Sequence, residues 1–134
     1  MDEKAIRVLI FPCGTEIGLE LQRSLRASRH FEAVGVSSVD DHGAYVYPNY
    51  RRMRANVYDK EFIEEINRTA AAVNADLILP AHDDVIIALA EAREIGGLRV
   101  PPVVPPLETC RICRSKRATY AFFRDILPTP AVYP

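Results

Sequence analysis

The sequence predicts a parallel, doubly wound α/β domain with right-handed crossovers. Short apolar runs of strand length alternate along the chain with longer segments in which apolar residues recur at helical spacing. The first run, residues 6–11, is interrupted only by Arg7 and is typical of a strand covered on both faces. Glycine or proline marks the turns between strands and helices.

Length and composition restrict the class of protein. A chain of 134 residues and 15.0 kDa is expected to form one domain. Its formal net charge of -1 gives no reason to expect nucleic acid or an anionic membrane as a partner. No apolar run approaches the about 20 residues that cross a bilayer, and the start MDEKAIR is unlike a signal peptide. Three cysteines without a disulfide framework predict a reducing cytoplasm.

The stretch IRVLIFPCGTEIG, residues 6–18, predicts a central strand, a turn and a helix start. Thr15 is expected to cap a helix that runs from Glu16 to about Arg29. Gly14 and Gly18 form the pattern G-x-x-x-G, which is a weak indication of an anion pocket and differs from the dinucleotide fingerprint G-x-G-x-x-G. Gly18 would let the helix pack closely or a ligand approach. Three apolar residues at helical spacing are expected to face the sheet: Ile17, Leu21 and Leu25.

A second strand is predicted at residues 31–36, and the segment after it is irregular. A dinucleotide-binding fold places an acidic residue at the end of this strand to hold a ribose hydroxyl, and Ser37 stands there instead. Residues 40–54 hold three tyrosines and three arginines. We interpret them as a long loop over the sheet edge rather than a nucleic-acid patch, because no basic stripe continues elsewhere. A short edge strand is expected at residues 54–57.

The next helix and strand follow the same alternation. A helix from Lys60 to about Val73 carries an apolar face at helical spacing, and Asn74 ends it. A third internal strand is predicted at residues 77–80, ending at Pro80. In the turn after it, Asp83 or Asp84 is expected to cap a helix that continues to about Glu94.

The last third of the chain is predicted to be mainly helical. Residues 100–107 hold four prolines and are at most a short edge strand, because proline cannot donate to a sheet. A short helix at 108–114 and a second one from Ser115 to about Ile126 follow. The apolar pattern of residues 131–133 predicts the start of a new strand, which is expected to continue beyond Pro134.

Few residues by themselves indicate a catalytic, metal-binding or redox role. Cys110 and Cys113 form C-x-x-C inside a predicted helix, where both are expected to face the core rather than bind zinc or act as a redox pair. Cys13 is interpreted as a small space-filling residue, with a thiol of lowered pKa at a helix N-terminus as the alternative. His82 with the two following aspartates is either a capping turn or a metal or acid–base cluster. Carboxyl ends of parallel strands meet, so this turn should lie beside the Gly14 turn.

The carboxyl-terminal third, ETCRICRSKRATYAFFRDILPTPAVYP, resembles the junction at the start of the ATP-grasp fold in carboxylate–amine ligases. Its CRSK segment is similar to the family's C-R-D-K, its TYAFF segment to T-Y-E-F-L, and residues 128–130 to the turn into the first ATP-grasp strand. Upstream, VLIFPCGTEIG resembles VLVTGAGGGIG, VGVSS resembles VGVD, and LILPAHDD resembles VLIPTTDE. The ordered set is similar to the pre-ATP-grasp domain of large-subunit carbamoyl-phosphate synthase-like proteins and spans almost the whole chain.

This resemblance implies a Rossmann-like three-layer α/β/α domain with a mainly parallel sheet, of the pre-ATP-grasp or biotin carboxylase N-terminal type. Residues 1–127 would form this domain, and residues 128–134 would lead into a C-terminal ATP-grasp domain of the same parent chain. That later domain binds MgATP and activates a carboxylate as an acyl phosphate, which an amine or ammonia attacks. The 134-residue chain is therefore expected to be inactive alone and to hold neither ATP nor Mg²⁺ by itself.

The resemblance also implies site residues. Lys116 is expected to contact ATP phosphates, because family members place a lysine or arginine there, and a solvated helix lysine is the alternative. No residue is assigned a catalytic or metal-binding role. The expected partner is a small-molecule carboxylate, with a homodimer as a further option and neither nucleic acid nor membrane. The substrate pocket is expected to be lined by Gly14, Gly18, Pro80, Asp83 and Asp84.

Two departures from the family pattern leave rival interpretations open. The family's glycine run is reduced to Gly14 and Gly18, and Ser37 replaces the usual acid. One rival is a stand-alone Rossmann module that binds NAD or another nucleotide, which the missing third glycine and Ser37 disfavour. The other is a non-enzymatic protein-interaction domain that uses the tyrosine- and arginine-rich residues 40–54.

Overall fold

A computed structural model describes residues 4–131 and residue 133. They form a four-stranded, fully parallel sheet of order β3-β2-β1-β4. The strands are β1 (Ile6–Phe11), β2 (Phe31–Ser37), β3 (Tyr50–Arg52) and β4 (Leu77–Pro80). The helices are α1 (Glu16–Leu25), α2 (Gly43–Val46), α3 (Phe62–Ala72), α4 (Asp83–Glu94), α5 (Leu107–Arg114) and α6 (Lys116–Phe123). The predicted parallel α/β class is confirmed.

The strand order places the first strand in the interior of the sheet. β1 pairs with β2 on one side and with β4 on the other, so the chain crosses the sheet after β3. Beyond β4, Pro102 forms a single parallel bridge with Ile78. This bridge agrees with the expectation of at most a short edge strand in the proline-rich segment 100–107.

Helices cover both faces of the sheet and make three layers. Alternate residues of a strand point to opposite faces, so Leu9 and Phe11 face one core while Val8 and Ile10 face the other. The larger core is closed by α3 and α4, and the smaller one by α1 and by Tyr47 next to α2. The helix residues of the larger core are Phe62, Ile66, Ala70, Val85 and Leu89.

The prediction for the buried face of α1 was wrong in one position. Ile17 is 54% exposed, whereas Gly18 and Gln22 are the buried residues of this helix. Leu21 and Leu25 do pack against the smaller core. The helix is rotated because Gly18 touches the turn before it. α1 also ends at Leu25, before the predicted end near Arg29, as the chain turns toward β2.

The edge strand also lies elsewhere than predicted. β3 occupies residues 50–52 rather than 54–57, with Gly35 opposite Tyr50. Within the predicted range, Ala55 is buried and Val57 is partly buried in the larger core, and neither belongs to a strand. Their apolar character reflects burial in the core and not sheet formation.

Residues 107–131, here called the C-terminal arm, pack differently from the rest of the chain. α5 contacts α4, and α6 contacts α5. Within the arm only Cys110 is buried. Cys113 is exposed, so the prediction that both cysteines face the core was wrong for Cys113. α5 packs on α4 and α6, and the part of its surface that carries Cys113 stays in solvent.

Two remaining predictions concern the end of the chain and membranes. The helix expected to reach Ile126 ends at Phe123. The strand expected from Ala131 onward involves residues 132 and 134, which lie outside the described residues. In the described part of the chain, no helix combines the length and apolar character needed to cross a membrane.

Candidate functional site

The candidate site lies where the turns after β1, β2 and β4 meet at the carboxyl edge of the sheet. Thr15 caps α1 as predicted: its hydroxyl accepts a hydrogen bond from the Gly18 amide at 3.0 Å. The same hydroxyl lies 3.0 Å from the Ala81 carbonyl and 3.1 Å from the Pro12 carbonyl, to which it can donate its proton. Thr15 thus joins the first turn to the turn after β4. The two turns lie side by side, as expected from the parallel arrangement.

Gly18 brings α1 into close contact with the turn before it. A Cβ atom at Gly18 would lie 2.5 Å from the Cys13 carbonyl oxygen and 2.8 Å from the Pro12 carbonyl oxygen. Both neighbours are backbone atoms, so no larger residue fits without moving the helix. Gly18 is itself buried. Close packing therefore accounts for this glycine, and its expected contact with a substrate stays a prediction.

An acidic side chain that the sequence analysis did not select lies over Gly14. The Asp41 carboxylate accepts hydrogen bonds from the Gly43 amide at 2.8 Å and from the Ser37 hydroxyl. A Cβ atom at Gly14 would lie within 2.0 Å of the Asp41 Cγ, so glycine is needed to make room for this carboxylate. An acidic side chain therefore lies near the end of β2, four residues after Ser37, and it faces the Gly14 turn. The pattern Asp-x-Gly at residues 41–43 is typical of an Asx turn and could have indicated from the sequence that Asp41 accepts a hydrogen bond from the Gly43 amide.

The turn after β4 is capped by a different residue from the one predicted. His82 is the N-cap of α4, with its Nδ1 accepting a hydrogen bond from the Asp84 amide at 3.2 Å. The expectation that Asp83 or Asp84 caps the helix was wrong. Both aspartates lie in the first helical turn, where their charge is favourable. His82 takes the cap because its backbone is extended while that of Asp83 is already helical. Pro80 is buried beside Phe11.

Asp84 connects the site to the C-terminal arm. Its carboxylate accepts hydrogen bonds from Arg114 Nε at 2.8 Å and from the Tyr58 hydroxyl at 2.6 Å. These two donors, Arg114 first, lower the pKa of Asp84 below its ordinary value. The same ion pair raises the pKa of Arg114. Asp84 therefore stays charged at neutral pH and holds the end of α5 beside the turn after β4. Asp83 is exposed.

Lys116 lies close in sequence to this contact. It is the first residue of α6 and follows Arg114 by two positions, so the start of α6 is near the same edge of the sheet. Ser115 caps α6 by accepting a hydrogen bond from the Ala118 amide at 3.3 Å. The Lys116 side chain is exposed and makes no ion pair with the residues that the structure describes. Its predicted contact with ATP phosphates stays a prediction.

Cys13 is not an activated nucleophile. Its side chain is fully buried, and burial, with a smaller contribution from the Asp41 charge, raises the pKa of the thiol to about 12. The alternative of a lowered pKa near a helix N-terminus is overturned, and the space-filling interpretation agrees with the packing of Cys13 in the smaller core. Burial likewise raises the pKa of Tyr47, whose hydroxyl donates to the Gly18 carbonyl.

The other candidate groups do not assemble into a metal or redox centre. Among residues 4–131 and 133, no three His, Cys, Asp or Glu side chains are placed to hold a metal ion together. The Cys110 thiol lies 3.5 Å from the Pro105 carbonyl, to which it can donate. In segment 40–54, Tyr47 is buried, Tyr50 half-buried and Tyr45 91% exposed. The segment contains α2 and β3, so it is not one long loop as predicted, although the burial of Tyr47 and Tyr50 agrees with packing over the sheet edge.

Comparisons with known proteins identify the fold. No protein-family model and no curated protein matches the chain. Among solved structures it is similar to a complete multifunctional pyruvate carboxylase from Rhizobium etli, with a TM-score of 0.66 and 15% identity over 97% of this chain and 13% of that chain. It is also similar to glycinamide-RNase-transformylase T from Mycobacterium tuberculosis, with a TM-score of 0.61 and 15% identity over 90% of this chain and 35% of that one.

A third similar structure is the biotin carboxylase domain of a thermophilic 2-oxoglutarate carboxylase bound to ADP. Its TM-score is 0.62 and its identity 18%, over 92% of this chain and 28% of that chain. At such low identity the likeness shows the fold alone. The chain has the fold of the biotin carboxylase N-terminal domain. It spans about a third or less of the length of the solved chains it matches.

Proposed function

We propose that this chain is the N-terminal domain of an ATP-dependent carboxylate–amine or ammonia ligase of the carbamoyl-phosphate synthase type. In this proposal it forms one wall of the substrate and nucleotide site and is inactive alone. The main support is the fold likeness, which covers at least nine-tenths of this chain but only a part of multidomain or longer proteins. One of those proteins was solved with ADP. The ordered motifs of the sequence support the carbamoyl-phosphate synthase type.

The C-terminal arm supports a following domain as the intramolecular partner. Phe122, Ile126 and Leu127 are 54%, 68% and 47% exposed, which leaves apolar side chains in solvent at the end of the chain. We expect these side chains to pack on an ATP-grasp domain that residues 128–134 lead into. Their exposure also predicts that the 134-residue chain associates with itself when the partner domain is absent. Such dimers would not be the physiological assembly.

The site residues receive roles from their positions in this proposal. Lys116 would contact ATP phosphates from the start of α6, and ATP and Mg²⁺ would be held mainly by the following domain. The carboxyl edge of the sheet would form the substrate wall. The substrate-binding residues we propose there are Gly14, Gly18, Pro80, Asp83 and Asp84.

The alternative of a dinucleotide-binding module loses support at Gly14. In that class of site, a pyrophosphate approaches the backbone of the glycine turn. Here the Asp41 carboxylate occupies the space beside the Gly14 Cα, anchored by Ser37 and Gly43. A pyrophosphate group could not approach the Gly14 backbone closely while Asp41 holds that position. Titration with NADH tests this directly, and no saturable binding is expected.

The proposal is tested by ATP turnover with and without the remainder of the parent protein. The purified 134-residue chain should form no ADP above background, because in this proposal the following ATP-grasp domain carries the chemistry. The parent reading frame should continue past Pro134 for about 150–200 residues, the length of a further domain, with a glycine-rich loop and late paired Glu and Asn ligands. In that longer protein Lys116→Met should reduce turnover. A stop codon after Pro134, or turnover by the short chain that Lys116→Met abolishes, would refute the proposal.

A further inference from the structure

The C-terminal arm carries an excess of positive charge on a side of α6 that the proposed site does not use. Residues 107–131 contain five Lys or Arg and two Asp or Glu, although the whole chain has a net charge of -1. Arg111 pairs with Glu91 at 3.0 Å, and Arg114 pairs with Asp84 at 2.8 Å. Arg117 and Arg124 have no carboxylate partner among the residues described. Two guanidinium groups of the arm are therefore available to an anion.

These two arginines share one face of the helix with a tyrosine. Successive residues of an α-helix are about 100° apart around its axis, so Arg117, Tyr120 and Arg124 fall within one stripe. Phe122 lies on the opposite side of α6, where it contacts Phe123 edge to face. The basic stripe and the apolar surface expected to meet a following domain are thus separate. Lys116 also points away from the stripe by about a quarter turn.

The basic stripe borders a cavity of about 590 Å³. The amides of Ile126 and Leu127 both donate to the Phe123 carbonyl, which turns the chain so that residues 129–131 run back beside α6. The volume is within the range of about 300–1,000 Å³ that is usual for small-molecule sites. The lining consists of Arg117, Tyr120, Ala121, Arg124, Thr129, Pro130 and Ala131.

The chemistry of this lining suits a phosphate-bearing ligand with an aromatic ring. A guanidinium group donates two parallel hydrogen bonds to a phosphate, and it keeps its charge at every physiological pH. Arg124 lies seven positions after Arg117, which places their backbones about 10 Å apart along the helix. A diphosphate chain can reach both. Tyr120, half-buried between them, presents a ring on which a base can stack.

We propose that the cavity between α6 and residues 129–131 is a binding site for a nucleoside diphosphate or triphosphate, held by Arg117 and Arg124 through its phosphates and by Tyr120 through its base. This site does not include Lys116, and it departs from the expectation, drawn from the family resemblance, that the 134-residue chain holds no ATP by itself. Because the site lies on the C-terminal arm, a bound nucleotide would lie beside the carboxyl edge of the sheet and not between the turns that form this edge.

The test is calorimetric titration of the 134-residue chain with ADP, pyrophosphate and adenosine. ADP should bind, and the two partial ligands should bind more weakly. Arg117→Gln with Arg124→Gln should weaken ADP binding more than tenfold, and Tyr120→Ala should weaken it about tenfold, as expected for the loss of one stacked base. The matched control is Arg26→Gln with Arg29→Gln, which removes two exposed charges from another part of the chain and should leave binding unchanged.

Different outcomes separate this inference from the proposed function. Absence of ADP binding by the unmodified chain overturns the inference, as does equal weakening by both arginine pairs, which would indicate non-specific charge attraction. Loss of ADP binding with Lys116→Met but not with the Arg117 and Arg124 variant would support the role of Lys116 and overturn this site. Amide shifts in 117–124 and 129–131 that saturate with ADP would support it.

Discussion

The sheet with its covering helices and the C-terminal arm represent two ways for helices to be stabilised. α3 buries Phe62, Ile66 and Ala70 against the sheet, whereas α6 buries no residue completely. Helices of eight residues are marginal by themselves in water, so α5 and α6 depend on their few contacts with α4 and with each other. From this difference we expect the sheet to fold without the arm, and the arm to gain most of its stability from a neighbour.

The largest expected effect comes from removing core volume in the covered sheet. Ile66 is fully buried in α3, so Ile66→Ala should lower the free energy of unfolding by about 2–5 kcal/mol. Ile126→Ala makes the same chemical change in the arm. Because Ile126 is 68% exposed, this variant should change the free energy of unfolding by less than about 0.5 kcal/mol. Urea unfolding followed by far-ultraviolet circular dichroism measures both. Equal losses would show that the arm belongs to the cooperative core.

The next effect concerns the close contact of α1 with the first turn. Gly18→Ala places a Cβ atom 2.5 Å from the backbone oxygen of Cys13, so α1 must shift and the free energy of unfolding should fall by about 1–3 kcal/mol. Gly97→Ala is the matched control, because its Cβ would lie 3.3 Å from the nearest atom and should cost less. Thermal melts of the two variants measure this difference in stability. A Gly18 variant as stable as the Gly97 variant would contradict the packing explanation.

Helix caps provide a comparison with the same chemistry in both regions. Thr15→Ala should cost about 1 kcal/mol of global stability, the usual value for a lost N-cap, because Thr15 also connects two turns of the sheet. Ser115→Ala removes the corresponding cap of α6. It should leave the unfolding midpoint unchanged and speed amide hydrogen exchange in residues 116–123 only. A global loss with Ser115→Ala would show that the arm folds together with the sheet.

The smallest expected effect is a pH-dependent loosening of the arm. The pKa of Asp84 is lowered in the folded chain, so its ion pair with Arg114 is present at neutral pH and is lost as the pH falls below about 4, the ordinary value for aspartate. Amide signals of residues 114–119 should shift over this range. With Asp84→Asn they should already be shifted at neutral pH. Glu91→Gln, at the other interhelical ion pair, should leave the titration below pH 4 in place.

The local sequence pattern was sufficient to predict much of the candidate site. The apolar run of β1, the hydroxyl of Thr15 and the proline at the end of β4 each carry their information within a few neighbouring residues. They correctly predicted a cap and two adjacent turns at one edge of the sheet. The position of Asp41 over Gly14 was not predicted, because the contact joins residues of two different turns. The cap at His82 was missed because it depends on where the backbone becomes helical.

The sequence by itself determined the parallel α/β class and the order of its strands and helices other than α2, since hydrophobic periodicity and turn residues act over short distances. Only the tertiary structure decided which residues those elements bury and connect. Close contact with the first turn rotated α1 and exposed Ile17. The packing of α5 on α4 and α6 left Cys113 in solvent, and the contact of Asp84 with Arg114 placed the arm beside the sheet edge. These outcomes depend on non-local contacts, whose free energy no single segment contains.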